Sequence, residues 1–530
     1  MVAAGYTARM LSTVRAAFLG VALLIAGSSC ASALERPPGP ALTEVLAKFD
    51  TYAESSRQRW GVPGMAIAVV QGDNVVWSKG YGVRVQGEAA AVEASTVFQI
   101  GSISKSFTAT VMGMLVDEGK VRFEDRVVDR YPAFQMYDPW VTREFMIWDL
   151  MAQHSGMAPY AGDSAVSLGF TRQEILRGLR HLKPVSSFRS EFAYVNNLWL
   201  AVAAVEETIT GHTWEDLVAD RLFTPLGMRS ATTNVGGLLK GPNVALPHVL
   251  VDGKPTPTRA DYPDVGFVYT YAPAGGINAN ALDMAAYVTA HLNRGTYKGK
   301  ALLKPETARW LHDPKTIMTF KGPANVQHGA AALGPMFYCQ GWLRQLLSPT
   351  PLVWHNGGTP GSKAVVGFTP EGDLGVVVLS NLENTGLPEA LMYYLYDLYY
   401  GRPVQDYTGM FLADAKALAA PTSTPPATPA PARGLSAYAG SYENPYFGPL
   451  TVEPQDSTLL IRVGQRQTLV RTKHWDGDTF AIALPGYGDR KYTDGFVSFQ
   501  FGQGERATDL RFIRAFDDAA DGRFTRTPSR

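Results

Sequence analysis

Ser102-Ile103-Ser104-Lys105 places a hydroxyl and an amine three residues apart, directly after the strand-like Val97-Phe98-Gln99-Ile100 and Gly101. On a helix that spacing puts both side chains on one face, close enough for the amine to take the hydroxyl proton, which is the chemistry of an activated serine nucleophile. Burial in a first turn, near the positive end of the helix dipole, disfavours the ammonium and so suits a lysine base. A Ser-x-x-Lys pattern arises about once by chance in a chain of this composition, so its weight depends on what accompanies it. Tyr194-Val195-Asn196 stands immediately before the helical pattern Leu198 to Ile209, and His355-Asn356-Gly357 leads through a glycine-rich turn into the strand pattern Ala364 to Phe368. The same spacings recur at Tyr442-Glu443-Asn444 and His154-Ser155-Gly156, but neither stands in the right order or beside the right element, and both read as structural.

The elements that must position these residues are legible around them. Met65 to Val70 and Val75 to Ser78 flank Gly72-Asp73-Asn74 as a hairpin, and Ala364 to Phe368 and Leu374 to Ser380 flank Pro370-Glu371-Gly372-Asp373 as another. Phe107, Val111, Met114 and Leu115 form one apolar stripe of a helix that starts at the Ser-x-x-Lys segment, and Leu387 to Tyr400 is an aromatic-rich helix. Hairpins at both ends with helices between them predict an α+β fold, one antiparallel sheet flanked by helices. Pro421 to Arg433 is a Pro/Thr/Ala tract, expected to be an extended spacer. After it, runs such as Leu459 to Val463, Gln467 to Thr472, Thr479 to Leu484, Phe496 to Phe501 and Thr508 to Ile513 predict a small all-β barrel or sandwich over 434–530.

Composition excludes several functions. At 530 residues the chain is too long for one core, and 48 basic against 48 acidic residues leave no electrostatic footprint for nucleic acid or an anionic membrane. Two cysteines, Cys30 and Cys339, support neither a disulfide framework nor a Cys-rich metal centre, and the 9 histidines show no metal-ligand spacing. No phosphate loop of the GxxxxGK[ST] type and no Gly-x-Ser-x-Gly elbow occurs, and no cofactor is implied. Arg9 and Arg15, the apolar run Ala16 to Ala26 and the small residues Ala31-Ser32-Ala33 read as a cleavable export signal over residues 1–33, giving a periplasmic or secreted chain with no membrane span. Gly27, three residues before Cys30, argues against lipid attachment there, and Cys339 is expected to be a buried small hydrophobe.

The wording of the motifs is specific. Phe98-Gln99-Ile100-Gly101-Ser102-Ile103-Ser104-Lys105 resembles the nucleophile segment of the serine β-lactamase and penicillin-binding-protein superfamily, in its class C-like peptidase and esterase branch. Leu115-Val116-Asp117-Glu118-Gly119-Lys120, Gln153-His154-Ser155-Gly156-Met157 and Pro225-Leu226-Gly227-Met228 resemble its intervening landmarks, and Tyr438-Ala439-Gly440-Ser441-Tyr442 resembles the start of the β-barrel modules appended to D-aminopeptidase-like members. The resemblance implies a catalytic domain over 34–420 in which Ser102 attacks a carbonyl, Lys105 and Tyr194 exchange protons, and Asn196 holds the lysine amine or the substrate amide. It further implies an oxyanion site at the amides of Ser102 and Gly358, beyond Gly357, and makes His154 a turn landmark.

Where β-lactamases and transpeptidases carry Lys-Thr-Gly, this chain has His355-Asn356-Gly357, which resembles the aminopeptidase and esterase branches and speaks against penicillin hydrolysis. His355 would then polarise a substrate group or protonate a leaving group. Tyr137, Trp140, Tyr160, Tyr338 and Trp342 fall between motifs and are read as packing. The expected activity is hydrolysis of amides in small or linearised peptides, including ones with D-residues. Alternatives are a carboxylesterase, then a β-lactamase or a non-catalytic penicillin-binding-like protein. The partner is a small molecule or a peptide. Intact-mass analysis of the exported protein should give a chain beginning at Leu34; retention of residues 1–33 would contradict the export reading.

Overall fold

Three apolar runs, Met65 to Val70, Ala364 to Phe368 and Leu374 to Leu379, form the middle of an eight-stranded antiparallel sheet. In the computed structural model, which describes residues 40–251, 253–258, 268–319, 326–419, 426–483, 495–513 and 522–528, its strands are β1 (Gly64–Gln71), β2 (Asn74–Gly82), β3 (Thr316–Ile317), β4 (Met336–Tyr338), β5 (Leu343–Gln345), β6 (Leu352–Thr359), β7 (Ser362–Phe368) and β8 (Leu374–Ser380). They lie in the order β2-β1-β8-β7-β6-β5-β4-β3. Residues 1–33, read from the sequence as an export signal and including Cys30, and residues 421–425 of the Pro-rich tract lie outside the described residues.

The central strands do not alternate polar with apolar because both faces of the sheet are covered. Helices α1 (Leu42–Trp60) and α5 (Leu387–Tyr399) pack together on one face, with Tyr52 and Tyr394 stacked at 3.6 Å, and α4 (Ala281–Leu292) covers the other. Side-chain room at two glycines separates the faces: a Cβ at Gly367 would press on Met392 of α5, and one at Gly375 on Val288 of α4.

Helix α2 (Ser104–Asp117) packs against α3 (Asn197–Thr210) and, through Phe107 stacked on Tyr287 at 3.7 Å, against α4. The sequence predicts one apolar stripe here; the structure buries every residue from Ser104 to Leu115. Its polar positions tolerate this because their hydroxyls donate to carbonyls, Ser104 to Gly101 at 2.8 Å, Ser106 to Ile103 at 2.7 Å and Thr108 to Pro273 at 2.7 Å. α2 is therefore a central helix, and its N-terminus is held from all sides. Cys339 is buried beside it, its thiol donating to the His312 carbonyl at 3.1 Å.

The C-terminal region closes into an eight-stranded barrel: β9 (Gly440–Asn444), β10 (Gly448–Gln455), β11 (Thr458–Val463), β12 (Thr468–Asp476), β13 (Thr479–Ala483), β14 (Phe496–Phe501), β15 (Ala507–Ile513) and β16 (Arg523–Arg526). The described part of the Pro-rich tract follows the barrel wall, where Ala430 and Gly477 are joined at 2.9 Å and Arg433 stacks over Phe501 at 4.2 Å. No helix among the described residues is long and apolar enough to cross a membrane. Leu379, fully buried on β8, should be costly to truncate: Leu379→Ala is expected to remove about 2–5 kcal/mol, read as a lower urea midpoint for the first domain. A midpoint unchanged from wild type would contradict this account of the sheet core.

Candidate active site

Ser102 sits in a single 3-10 turn, Gly101–Ile103, that runs straight into α2, so Lys105 follows one turn later on the same side. The Lys105 amine is wholly buried, 3.1 Å from Ser102 Oγ and 2.7 Å from the carbonyl oxygen of Ala274. Burial lowers its pKa to about 7, with the Asp163 carboxylate pulling the other way. The amine donates to the Ala274 carbonyl and to Ser102 Oγ; once neutral, it has a lone pair within reach of the serine proton.

Tyr194 reaches the same serine from the loop before α3. Its ring centroid lies 4.8 Å from the Lys105 amine, and its hydroxyl interacts with Ser102. Burial raises the phenol well above its usual pKa, so it is a neutral donor at physiological pH. The loop is held by Gln153, a left-handed residue at φ 58° that ends a short helix. Its amide oxygen accepts from Val195 N at 2.7 Å, its Nε2 donates to Val195 O at 3.3 Å, and its own carbonyl accepts from Ala193 N at 2.9 Å. The neighbouring His154 turns away to Asp149 at 2.8 Å and Thr316 at 3.2 Å, and Arg189 and the Met146 amide complete the bonds to Asp149. Asn196 donates to the Asp163 carboxylate at 2.5 Å, whereas the hydrogen-bond partners of the lysine amine are Ser102 and Ala274.

The third segment enters on β6. Its outer edge pairs with β5 only as far as Trp354, and beyond that point the Ser102 turn lies against the strand. A Cβ at Gly357 would fall 1.8 Å from the Ile100 carbonyl oxygen, and one at Gly101 only 2.7 Å from the Gly358 nitrogen, so both positions require glycine. This backbone-on-backbone approach brings the amides of Ser102 and Gly358 side by side. His355 is buried, and desolvation, with Lys105 adding to it, lowers its pKa to about 3. Its Nδ1 is 2.6 Å from the Asn356 carbonyl, which needs a donor, so the proton sits there and Nε2 is left as an acceptor 3.4 Å from the Tyr338 hydroxyl.

Several contributors escape any spacing argument. Tyr338 packs against both Tyr194 and His355, with ring centroids 6.2 Å and 6.0 Å away, and these two rings also meet directly at 6.4 Å. Asp163 and Gln153 act from loops with no periodic pattern, and Ala274 acts through its carbonyl alone. Of the remaining aromatics, Trp342 is core, Tyr160 lies 5.6 Å from Tyr194, and Tyr137 and Trp140 are half exposed on the wall of a cavity of about 530 Å³ that also meets Met157 and Phe188.

The lysine makes a pH prediction. Below about pH 7 its ammonium has no lone pair for the serine proton, so the rate of Ser102 modification should rise with pH through a limb near 7. Lys105→Ala should remove that limb and slow the reaction by about 10²–10⁴; a pH limb that survives the substitution would exclude Lys105 as its source.

The β-lactamase family model matches residues 49–400, and a model described as a domain of unknown function, DUF3471, matches residues 424–525. Unguisins hydrolase ungD of Aspergillus violaceofuscus (strain CBS 115571) is 27% identical over 497 residues, covering 84% of this chain and 84% of that protein. Penicillin-binding protein 4 of Amycolatopsis lactamdurans is 30% identical over 256 residues, 47% of this chain and 64% of that protein. Among solved structures, the octameric penicillin-binding protein homologue from Pyrococcus abyssi shares the fold at a TM-score of 0.60 and 20% identity, over 90% of this chain and 99% of the other. With a family match that takes in the Ser102, Tyr194 and His355 segments together, the chain belongs to the β-lactamase family.

Proposed function

We propose that the protein is a serine hydrolase that cleaves amide bonds of small or linearised peptides, including ones with D-residues, through an acyl-enzyme on Ser102. The observation that carries this reading is the 3.1 Å contact between Ser102 Oγ and a fully buried Lys105 amine. In the first half-reaction Lys105 takes the Ser102 proton as Oγ bonds to the carbonyl carbon, and the amides of Ser102 and Gly358 receive the oxyanion. The C–N bond then breaks as Tyr194 gives its proton to the leaving amine and recovers one from Lys105. Water repeats the sequence with the same pair and frees Ser102.

His355 supports Tyr338, and through it the Tyr194 side of the cleft, since a neutral imidazole that already donates from Nδ1 accepts at Nε2. The likeness to unguisins hydrolase ungD over 84% of both chains supports a hydrolase, and the resemblance of the motif segments to the class C-like peptidase branch supports the peptide class. The reading of residues 1–33 as an export signal supports a periplasmic or extracellular site for the reaction.

A fluorophosphonate probe, which loses fluoride as serine bonds to phosphorus, should add one adduct to the wild type and none to Ser102→Ala. An unmodified, folded wild type would overturn the nucleophile assignment. Tyr194→Phe should lower kcat for an amide by about 10²–10⁴ and affect a matched activated ester much less, because the ester's leaving group departs without a proton. Equal losses on both substrates would remove Tyr194 from the proton-donor role.

A further inference from the structure

The barrel touches the first domain at the segment that carries Asp163. In the β9–β10 turn, Asn444 Oδ1 accepts from the amides of Tyr446 and Phe447 at 2.8 and 2.9 Å, a local turn that projects the Tyr446 side chain outward from the barrel. The Tyr446 ring is buried in a slot between two glycines of the other domain. A Cβ at Gly162 would fall 2.3 Å from its hydroxyl oxygen and one at Gly178 2.5 Å from the ring edge, so the slot exists only because both lack side chains. At its end the hydroxyl donates to the Gly162 carbonyl at 2.9 Å. Phe170 lies parallel to the ring at 6.4 Å, Thr468 donates to the Leu168 carbonyl at 3.2 Å, and Arg466 passes over Gly169.

The other side of this gripped segment faces the site. Tyr160 N donates to the Tyr194 carbonyl at 2.6 Å, the Ala161 carbonyl accepts from Asn197 at 2.6 Å, and the Asp163 carboxylate accepts from Asn196 at 2.5 Å. We propose that the barrel completes the active site: Tyr446, bonded to the carbonyl that precedes Asp163, is a positioning residue that keeps this carboxylate on Asn196 and within electrostatic reach of Lys105. The inference rests on the reading of Lys105 as the base.

The titratable groups gathered around that amine are Asp163, Tyr194 with Tyr160 behind it, and His355 on β6; β7 adds Lys363, paired with Glu389 at 3.0 Å, and further along α3 burial raises the pKa of Glu206 well above the usual carboxyl range. Both tyrosines and His355 are neutral at pH 7, so Asp163 is the charge that favours the ammonium. Displacing or neutralising it makes the amine easier to deprotonate, and the activity limb moves to lower pH.

The test measures the second-order rate of fluorophosphonate labelling of the full chain from pH 5 to 9. Asp163→Asn should move the limb down by about half a unit or more. Tyr446→Phe, which keeps the ring in its slot and so the fold, should move it the same way and lower the plateau about three- to tenfold. Combining the two should give no limb shift beyond that of Asp163→Asn alone, because the tyrosine acts through the carboxylate. A Tyr446→Phe protein that melts earlier but keeps limb and plateau within about twofold of wild type would reduce Tyr446 to a docking contact and overturn the proposal. A wild type that forms no adduct would instead sink the hydrolase reading together with it, so the two failures are distinguishable.

Discussion

Burying the Lys105 amine dictates much of what surrounds it. An ammonium in a dry interior is so costly that the fold must either supply a full set of charged partners or hold the group neutral, and the neutral choice is the one that yields a base near physiological pH. The Ala274 carbonyl absorbs one N–H without adding charge, and the Asp163 carboxylate stands close enough to keep the group from losing its proton affinity altogether. That balance needs solvent excluded on every side, which explains a helix buried around its whole circumference where one apolar stripe would have sufficed for packing.

Exclusion of water then becomes a problem of close approach. The Ser102 turn, the end of β6 and the Tyr194 loop meet backbone to backbone or through amide side chains, with glycine wherever a Cβ would intervene. Rigid elements supply two of the three segments, since α2 is central and β6 belongs to a sheet covered on both faces. The third is a loop, and it is fixed by Gln153, whose side chain bonds the Val195 peptide on both of its polar groups. Three differently built supports thus converge on one hydroxyl.

What the sequence disclosed and what it hid follow from range. Ser102 and Lys105 are one turn apart, so helix geometry alone pairs them, and the order of the Tyr194 and His355 segments and the elements beside them mark those two residues as candidates. Asp163, Gln153 and Tyr338 serve the site through contacts between segments distant in the chain, which no periodicity records. The sheet was legible because fully buried strands are short apolar runs bounded by turns. Strand β10 was not, because Pro449 and Pro454 and the exposed Glu453 to Gln455 leave only Leu450 and Val452 as an inward pair. The spacer reading of the Pro-rich tract missed its packing along the barrel, since that depends on where Asp476 and Phe501 come to lie.

The closure of the C-terminal barrel has a consequence for how such a module can be joined to an enzyme. A closed sheet has no unsatisfied strand edge to recruit a neighbour, so it can be fused to another domain without offering a template for aggregation. Its contacts must then be made by turns and outward side chains, which can change without disturbing the interior. Successive substitutions in the few residues around Tyr446 and Arg466 could therefore retune one host enzyme after another while the barrel that carries them stays the same.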